Sequence, residues 1–191
     1  GCGRYVQSLY FRVLSVSGFM PKVERRQNNR QHRLLLILGA IVAVVTIMSV
    51  VVWMTAKSAD AKDFDAAKSR LDAARAAHQF DVGISAMDSY LHGGWYRANR
   101  YEAYIYIGTM YEMKGEWSDA LAAYRNAESH NPGGRQAEYG AIARVSERMG
   151  DKATAVQYYE KQLNAMQSTG TPDAEDVAWL KKRIATLGAN K

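Results

Sequence analysis

The chain has 191 residues, 48% of them hydrophobic and 23% charged, a length and balance that suit one folded domain with an appendage. Its formal net charge of +6 lies wholly in residues 1–33, where seven basic side chains meet one acid, Glu24, while residues 34–191 carry 18 of each sign. The basic pI of 9.4 therefore does not describe a nucleic-acid-binding surface on the larger part of the protein, and a lone cysteine, Cys2, excludes a disulfide framework within the chain.

Taken from the start, Tyr5, Leu9, Val13, Val16 and Met20 fall on one side of a 3.6-residue period, with Gln7, Ser8 and Ser15 roughly opposite, before Pro21 ends the pattern. This predicts an amphipathic helix lying on a membrane surface; packing on another protein is the alternative. Five basic side chains follow, Lys22, Arg25, Arg26, Arg30 and Arg33. They are read as membrane-surface residues, each attracted to anionic lipid by at most about 1 kcal/mol, less whatever Glu24 and salt remove. Cys2 is second and Tyr5 stands where an acylation signal has a hydroxyl residue, so a plain thiol is the simpler reading than a lipid attachment. Residue 1 need not be the start of the gene product.

Leu34 to Met54, LLLILGAIVAVVTIMSVVVWM, is 21 residues without a charge, enough at about 1.5 Å per residue to cross a hydrocarbon layer of about 30 Å. A buried core helix seldom runs so long with apolar residues on every side, and a cleaved signal peptide is shorter. A transmembrane helix is predicted. Trp53 at its far end suits an interfacial aromatic belt, and the basic residues before it predict a cytoplasmic N-terminus with residues 56–191 on the outer face. Gly39 and Ala43 form a small-xxx-small step that would permit close packing of a second membrane helix.

Residues 56–191 are predicted to be entirely helical, because no stretch alternates apolar and polar with a period of two. Breaks fall at LHGGW (91–95), NPGG (131–134) and STGTP (168–172). A last helix should open at Thr171 or Asp173 and carry Val177, Leu180, Ile184 and Leu187 on one stripe. Within this region the chain repeats itself: Tyr104, Ile107, Gly108, Gly115, Ala120 and Tyr124 recur 35 residues later as Tyr139, Ile142, Ala143, Gly150, Ala155 and Tyr159.

That period and pattern resemble the tetratricopeptide repeat. The first copy fits closely, with Tyr104, Ile107-Gly108, Tyr111, Ala120, Tyr124, Ala127 and a closing Pro132; the second departs at Ser146, which stands where the first has Tyr111, and lacks the closing proline. The small residues belong where two antiparallel helices touch, the aromatic and aliphatic ones fill the space between, and Gly115 turns the chain. Upstream, Phe80, Gly83, Met87 and Tyr90 lie 37 residues before Trp117, Ala120, Tyr124 and Ala127, a degenerate copy. The expected organisation is an all-α chain: a cytoplasmic segment 1–33, a transmembrane helix 34–54, and a repeat domain 56–191 built from a degenerate repeat 64–91, repeats 101–134 and 136–168, and a terminal helix 173–187.

The resemblance implies protein binding on the inner helix of each pair, which here places Glu102, Ile105, Thr109, Glu112, Ala137, Gly140, Arg144 and Glu147 on the concave face. The Lys/Asn/Arg clamp that some members use for acidic tails is missing. No motif suggests chemistry: His32, His78, His92 and His130 are dispersed, DAKDFD (60–65) lacks the glycine and terminal glutamate of a calcium loop and reads as a solvated helix start, and no phosphate-binding, zinc-protease or nucleophile-elbow motif occurs. No catalysis, metal, cofactor, small-molecule substrate or nucleic-acid partner is expected. The chain resembles the membrane-tethered tetratricopeptide proteins of bacteria that accompany secretion, translocation, pilus or respiratory machinery. That implies a scaffold or accessory subunit in the inner membrane, with other protein subunits and membrane lipid as partners. The alternatives are a structural subunit held by its membrane part, with the repeats as a cap, and an enzyme acting from the surface of Glu102, Glu112 and Arg144.

Overall fold

The structure, a computed structural model, describes residues 22–131, 136–168, 170 and 173–189. Among these every regular element is an α-helix: α1 (Lys22–Ala76), α2 (Phe80–His92), α3 (Arg100–Lys114), α4 (Trp117–His130), α5 (Gln136–Arg148), α6 (Lys152–Ser168) and α7 (Ala174–Gly188). The amphipathic helix expected around residues 5–20, its Pro21 stop, Cys2 and the closing Pro132 lie outside the described residues. Described side chains begin at His32, so those of Lys22, Arg25, Arg26 and Arg30 lie outside them too. The chain divides into two compact units, Gly1–Met54 and Thr55–Lys191.

In the first unit, every residue from His32 to Met54 is exposed. The 18-residue window that qualifies as a membrane span has a mean hydropathy of 3.0, with none of it buried. Burying a Leu, Ile or Val side chain gains about 1.5–3 kcal/mol, so the run is a candidate membrane span by length and composition. The two hydroxyls within the run are satisfied by their own helix: Thr46 Oγ1 donates to the Ala43 carbonyl and Ser49 Oγ to that of Val45, both at 2.8 Å. Nothing within 4 Å would meet a Cβ at Gly39.

The second unit is a succession of antiparallel helix pairs in which α2 to α7 each pack on the next in sequence. One core cluster gathers Ala67, Leu71, Met87, Tyr90, Ala103, Ile107 and Met110; the other gathers Ala120, Tyr124, Ile142, Ala143, Val145, Ala155, Tyr159 and Leu180. Tyr111 is half-buried against both.

The same chain reversal ends the first helix of each pair. Gln79 N bonds Ala74 O at 2.8 Å, Glu116 N bonds Tyr111 O at 2.9 Å and Asp151 N bonds Ser146 O at 2.9 Å, each a six-to-one bond around a residue with positive φ: His78 (57°), Gly115 (78°) and Gly150 (82°). The two glycines adopt that conformation freely; His78 does so with a Cβ. Between the helices of each pair, volume is conserved by compensation. Gly108 lies under Tyr124, whose Cε1 would be only 2.5 Å from a Cβ there. One repeat later the pair is Ala143 and Tyr159, and one repeat earlier Leu71 and Met87, all four buried. A larger residue on one helix goes with a smaller one on the other, which keeps interior density constant. Ser146 is fully buried at the position that Tyr111 takes in the preceding copy. At the end of the chain, Asp173 caps α7, accepting from Glu175 N at 2.8 Å; Leu180 and Leu187 are buried and Val177 and Ile184 half-buried.

DAKDFD is not a solvated helix start. It lies inside α1, and Asp60 is 1% exposed. One Asp60 oxygen accepts from Tyr90 Oη (2.8 Å) and Arg97 Nη1 (3.3 Å), the other from Ala98 N (3.0 Å). Arg97 folds back over the loop, with Nε on the Tyr90 carbonyl at 2.5 Å and Nη2 on Asp63 at 3.3 Å. Asn99 N donates to Tyr90 Oη at 3.2 Å. The Arg97 guanidinium fills the space in which side chains at positions 93 and 94 would stand: Cβ atoms at Gly93 and Gly94 would be 2.7 and 3.1 Å from its Nη2. A buried charge pair is tolerated where hydrogen bonds satisfy both ions, as they do here. Burial, reinforced by donation to Asp60, pushes the Tyr90 phenol up to about 12.

Candidate functional site

The inner-helix residues named from the sequence fall into two sets. Tyr124 Oη donates to Glu112 Oε2 at 2.5 Å and stands 3.3 Å from Thr109 Oγ1, while Arg144 Nη2 reaches the same Glu112 oxygen at 3.2 Å. One repeat on, Tyr159 Oη donates to Glu147 Oε2 at 3.2 Å and Arg183 Nε donates to that oxygen at 3.0 Å, with Arg183 Nη2 on Glu147 Oε1. Each unit is a carboxylate held between the phenol of its own repeat and a guanidinium from the following inner helix. Burial, then the bond to Glu112, holds the Tyr124 phenol well above its ordinary value; burial raises Tyr159, opposed by Arg144. Both phenols therefore serve as hydrogen-bond donors at neutral pH.

Glu112, Thr109, Arg144 and Glu147 are thus brought together, but largely by satisfying one another. Arg144 is 56% exposed in its side chain against 19% for Glu112, so the guanidinium is the part presented to solvent. Ile105 packs against the second core cluster. Gly140 is buried, and a Cβ there would lie 3.0 Å from Gln162 Oε1, so that position is covered by α6. Ala137 is exposed and Glu102 half-exposed. Sequence reasoning missed Arg183, Trp179 and Arg148, which with Arg144, Glu147 and Tyr159 line an open recess of about 540 Å³. Trp179 is 53% exposed and stands edge-on to Tyr159 at 5.7 Å. The signal lay in spacing: Arg144 follows Glu112 by 32 residues and Arg183 follows Glu147 by 36, most of the difference falling in α6, which has 17 residues where α4 has 14. Among the described residues no group of three or more His, Cys, Asp or Glu gathers as metal ligands would.

Residues 139–173 match the model of the tetratricopeptide repeat family. This segment is a tetratricopeptide repeat. It comprises α5 from Tyr139, α6 and the approach to α7, so the match falls on the copy with Ser146, not on the one that carries the fuller consensus. No curated protein matches the chain. Tetratricopeptide repeats are protein-interaction modules and generally non-catalytic, and this match together with the all-helical fold supports a protein-interaction scaffold.

Proposed function

We propose that this chain is a membrane-anchored tetratricopeptide scaffold or accessory subunit, holding protein partners in a membrane complex of the secretion, translocation, pilus or respiratory kind. The observation that carries this reading is the coexistence of a tetratricopeptide repeat with an uncovered apolar run, none of whose 18-residue window is buried. That run needs a non-aqueous cover, and lipid is the cover that its length, lack of charge and self-bonded hydroxyls fit. The basic residues from Lys22 to Arg33 favour an N-terminus in the cytoplasm and repeats on the opposite face, as in a bacterial inner membrane. The outward-facing parts of Arg144, Arg183 and Trp179, beside the two carboxylate units, are the part of the inner-helix surface presented to a partner.

A second reading is favoured by the pairing of Glu112 with Arg144 and of Glu147 with Arg183. Inner-helix charges that neutralise one another suit a domain that stabilises itself, so the membrane part would hold the subunit in its complex and the repeats would cap it. Cross-linking mass spectrometry on intact membranes of the native source separates the two. Links concentrated between residues 102 and 183 and one other protein are expected. Links confined to residues 1–62 would replace the scaffold reading with the cap, and recovery of the protein away from the membrane fraction would refute both.

A further inference from the structure

The helix pairs pack by one rule, yet the grooves between their successive second helices are not alike. Between α4 and α6, over α5, the groove is filled from within. Tyr158 is buried there with its ring 6.1 Å from that of Tyr139, and the Lys161 ammonium lies 4.1 Å from the Tyr158 ring and 5.5 Å from the Tyr139 ring. Glu128 of α4 holds both, accepting from Tyr158 Oη at 2.8 Å and from Lys161 Nζ at 3.0 Å. An aromatic ring and a cation three residues apart on one helix face close this groove.

One interval earlier, between α2 and α4 over α3, the same place is open, a groove of about 460 Å³. The 35-residue period puts Ala123 where Tyr158 stands and Asn126 where Lys161 stands, so α4 brings neither ring nor cation. Tyr104, the counterpart of Tyr139, lines the groove with the exposed imidazole of His130 5.2 Å from its ring. The walls carry Asp81, Asp88 and Asp119. Lys114 reaches Asp81 at 2.6 Å and His92 reaches Asp88 at 3.4 Å, but the Asp88 side chain stays 62% exposed. Leu91 stands where α4 has Glu128, and Asp88 is one turn before it on α2, so a carboxylate still borders the place of the missing cation. We infer that this groove takes from a partner protein what α6 supplies to the next one: a helix presenting an aromatic side chain and, three residues on, a lysine or arginine. The ring covers Tyr104 and the cation meets Asp88 and Asp119. Charge selects this occupant, because three carboxylates against one lysine repel an acidic segment and attract a basic one. The volume, at the lower end of ligand sites, limits it to one ring and one long side chain. The inference needs neither the membrane span nor the face of Arg144, Arg183 and Trp179.

The test uses the full chain in detergent. The probe is a fluorescent peptide of residues 152–168, which carries Tyr158 and Lys161, held helical by a lactam between Glu160 and a lysine introduced by Val156→Lys on the opposite side. Saturable binding, read by anisotropy, is expected. It should weaken about tenfold with Tyr158→Ala or Lys161→Ala in the peptide, and by a similar factor with Asp88→Lys in the protein. The double variant Ala123→Tyr with Asn126→Lys closes the protein's groove from within and should abolish binding while the melting temperature is held or raised. If that variant fails to fold, Asp88→Lys and Asp119→Lys decide, since both positions are exposed. Absence of saturable binding at millimolar peptide overturns the inference. Binding that Asp88→Lys and Asp119→Lys leave unchanged places the probe on another surface and overturns it as well.

Discussion

At the scale of single residues, one contact decides whether two helices can close. Gly108 faces the ring of Tyr124, and a Cβ would stand 2.5 to 2.8 Å from three of its ring carbons. The ring cannot swing away, because its hydroxyl is bonded to Glu112 and its body is 2% exposed. Gly108→Ala gains up to about 1 kcal/mol of helix propensity but must force the helices apart. Overpacking of this kind costs about 1–3 kcal/mol, so a net loss of up to about 2 kcal/mol is expected, read as a lower urea midpoint. A gain in stability would show that α3 and α4 are not in this register. The converse freedom belongs to Gly115, where φ is 78° and nothing lies within 4 Å: there the backbone, not the space, demands glycine.

At the scale of elements, the stack depends on a few polar knots as well as on its core. The most buried of them joins α1 to the loop before α3 through Asp60, with Tyr90, Arg97 and Ala98 as donors. Replacing Asp60 with asparagine keeps the shape and removes the charge, so Arg97 is left desolvated with only the exposed Asp63 opposite it. Loss of one partner of a buried pair costs about 3–5 kcal/mol, and Asp63 should hold Asp60→Asn near 3 kcal/mol. Chemical denaturation of the full chain in detergent checks this; a change within 0.5 kcal/mol, roughly that of a surface substitution, would mean that the knot is solvated. The carboxylate units of Glu112 and Glu147 have the same construction but lie nearer the surface, where pairs of this kind contribute about 0–1 kcal/mol.

For the whole molecule, the phenols set the alkaline limit. Burial raises Tyr90, to about 12, and also Tyr124, Tyr158 and Tyr159. Above the ordinary phenol value of about 10, the unfolded chain releases protons that the folded chain keeps, so fewer protons are bound in the unfolded state and stability falls as pH rises. The stabilisation from these groups is fully present below about pH 10 and is lost as pH climbs through the folded values, for Tyr90 near 12. Melting temperatures of the full chain are expected to be level up to about pH 10 and to drop steeply above it, with a shallower drop in Tyr90→Phe. An unchanged melting temperature well beyond that point would mean that the phenols are solvated. Nothing in this dependence requires a catalytic role for the tyrosines.

The sequence by itself determined the apolar run from Leu34 to Met54, the all-helical character and the 35-residue ruler, because each is written in the spacing of neighbouring residues along one chain. Hydrophobic periodicity, glycines at helix ends and small residues at helix contacts are local signals, legible before any fold is known. The tertiary structure alone decided that α1 runs through DAKDFD, that Asp60 meets Arg97 across 37 residues, and that the carboxylates proposed for a partner are already bound by Arg144 and Arg183. It also decided that Gly140 is covered by Gln162. These depend on which faces meet when helices pack, and on element lengths that shift the phase of the repeat, such as the 17-residue α6. Pairing between elements is a matter of distance in space, which no single stretch of the chain encodes.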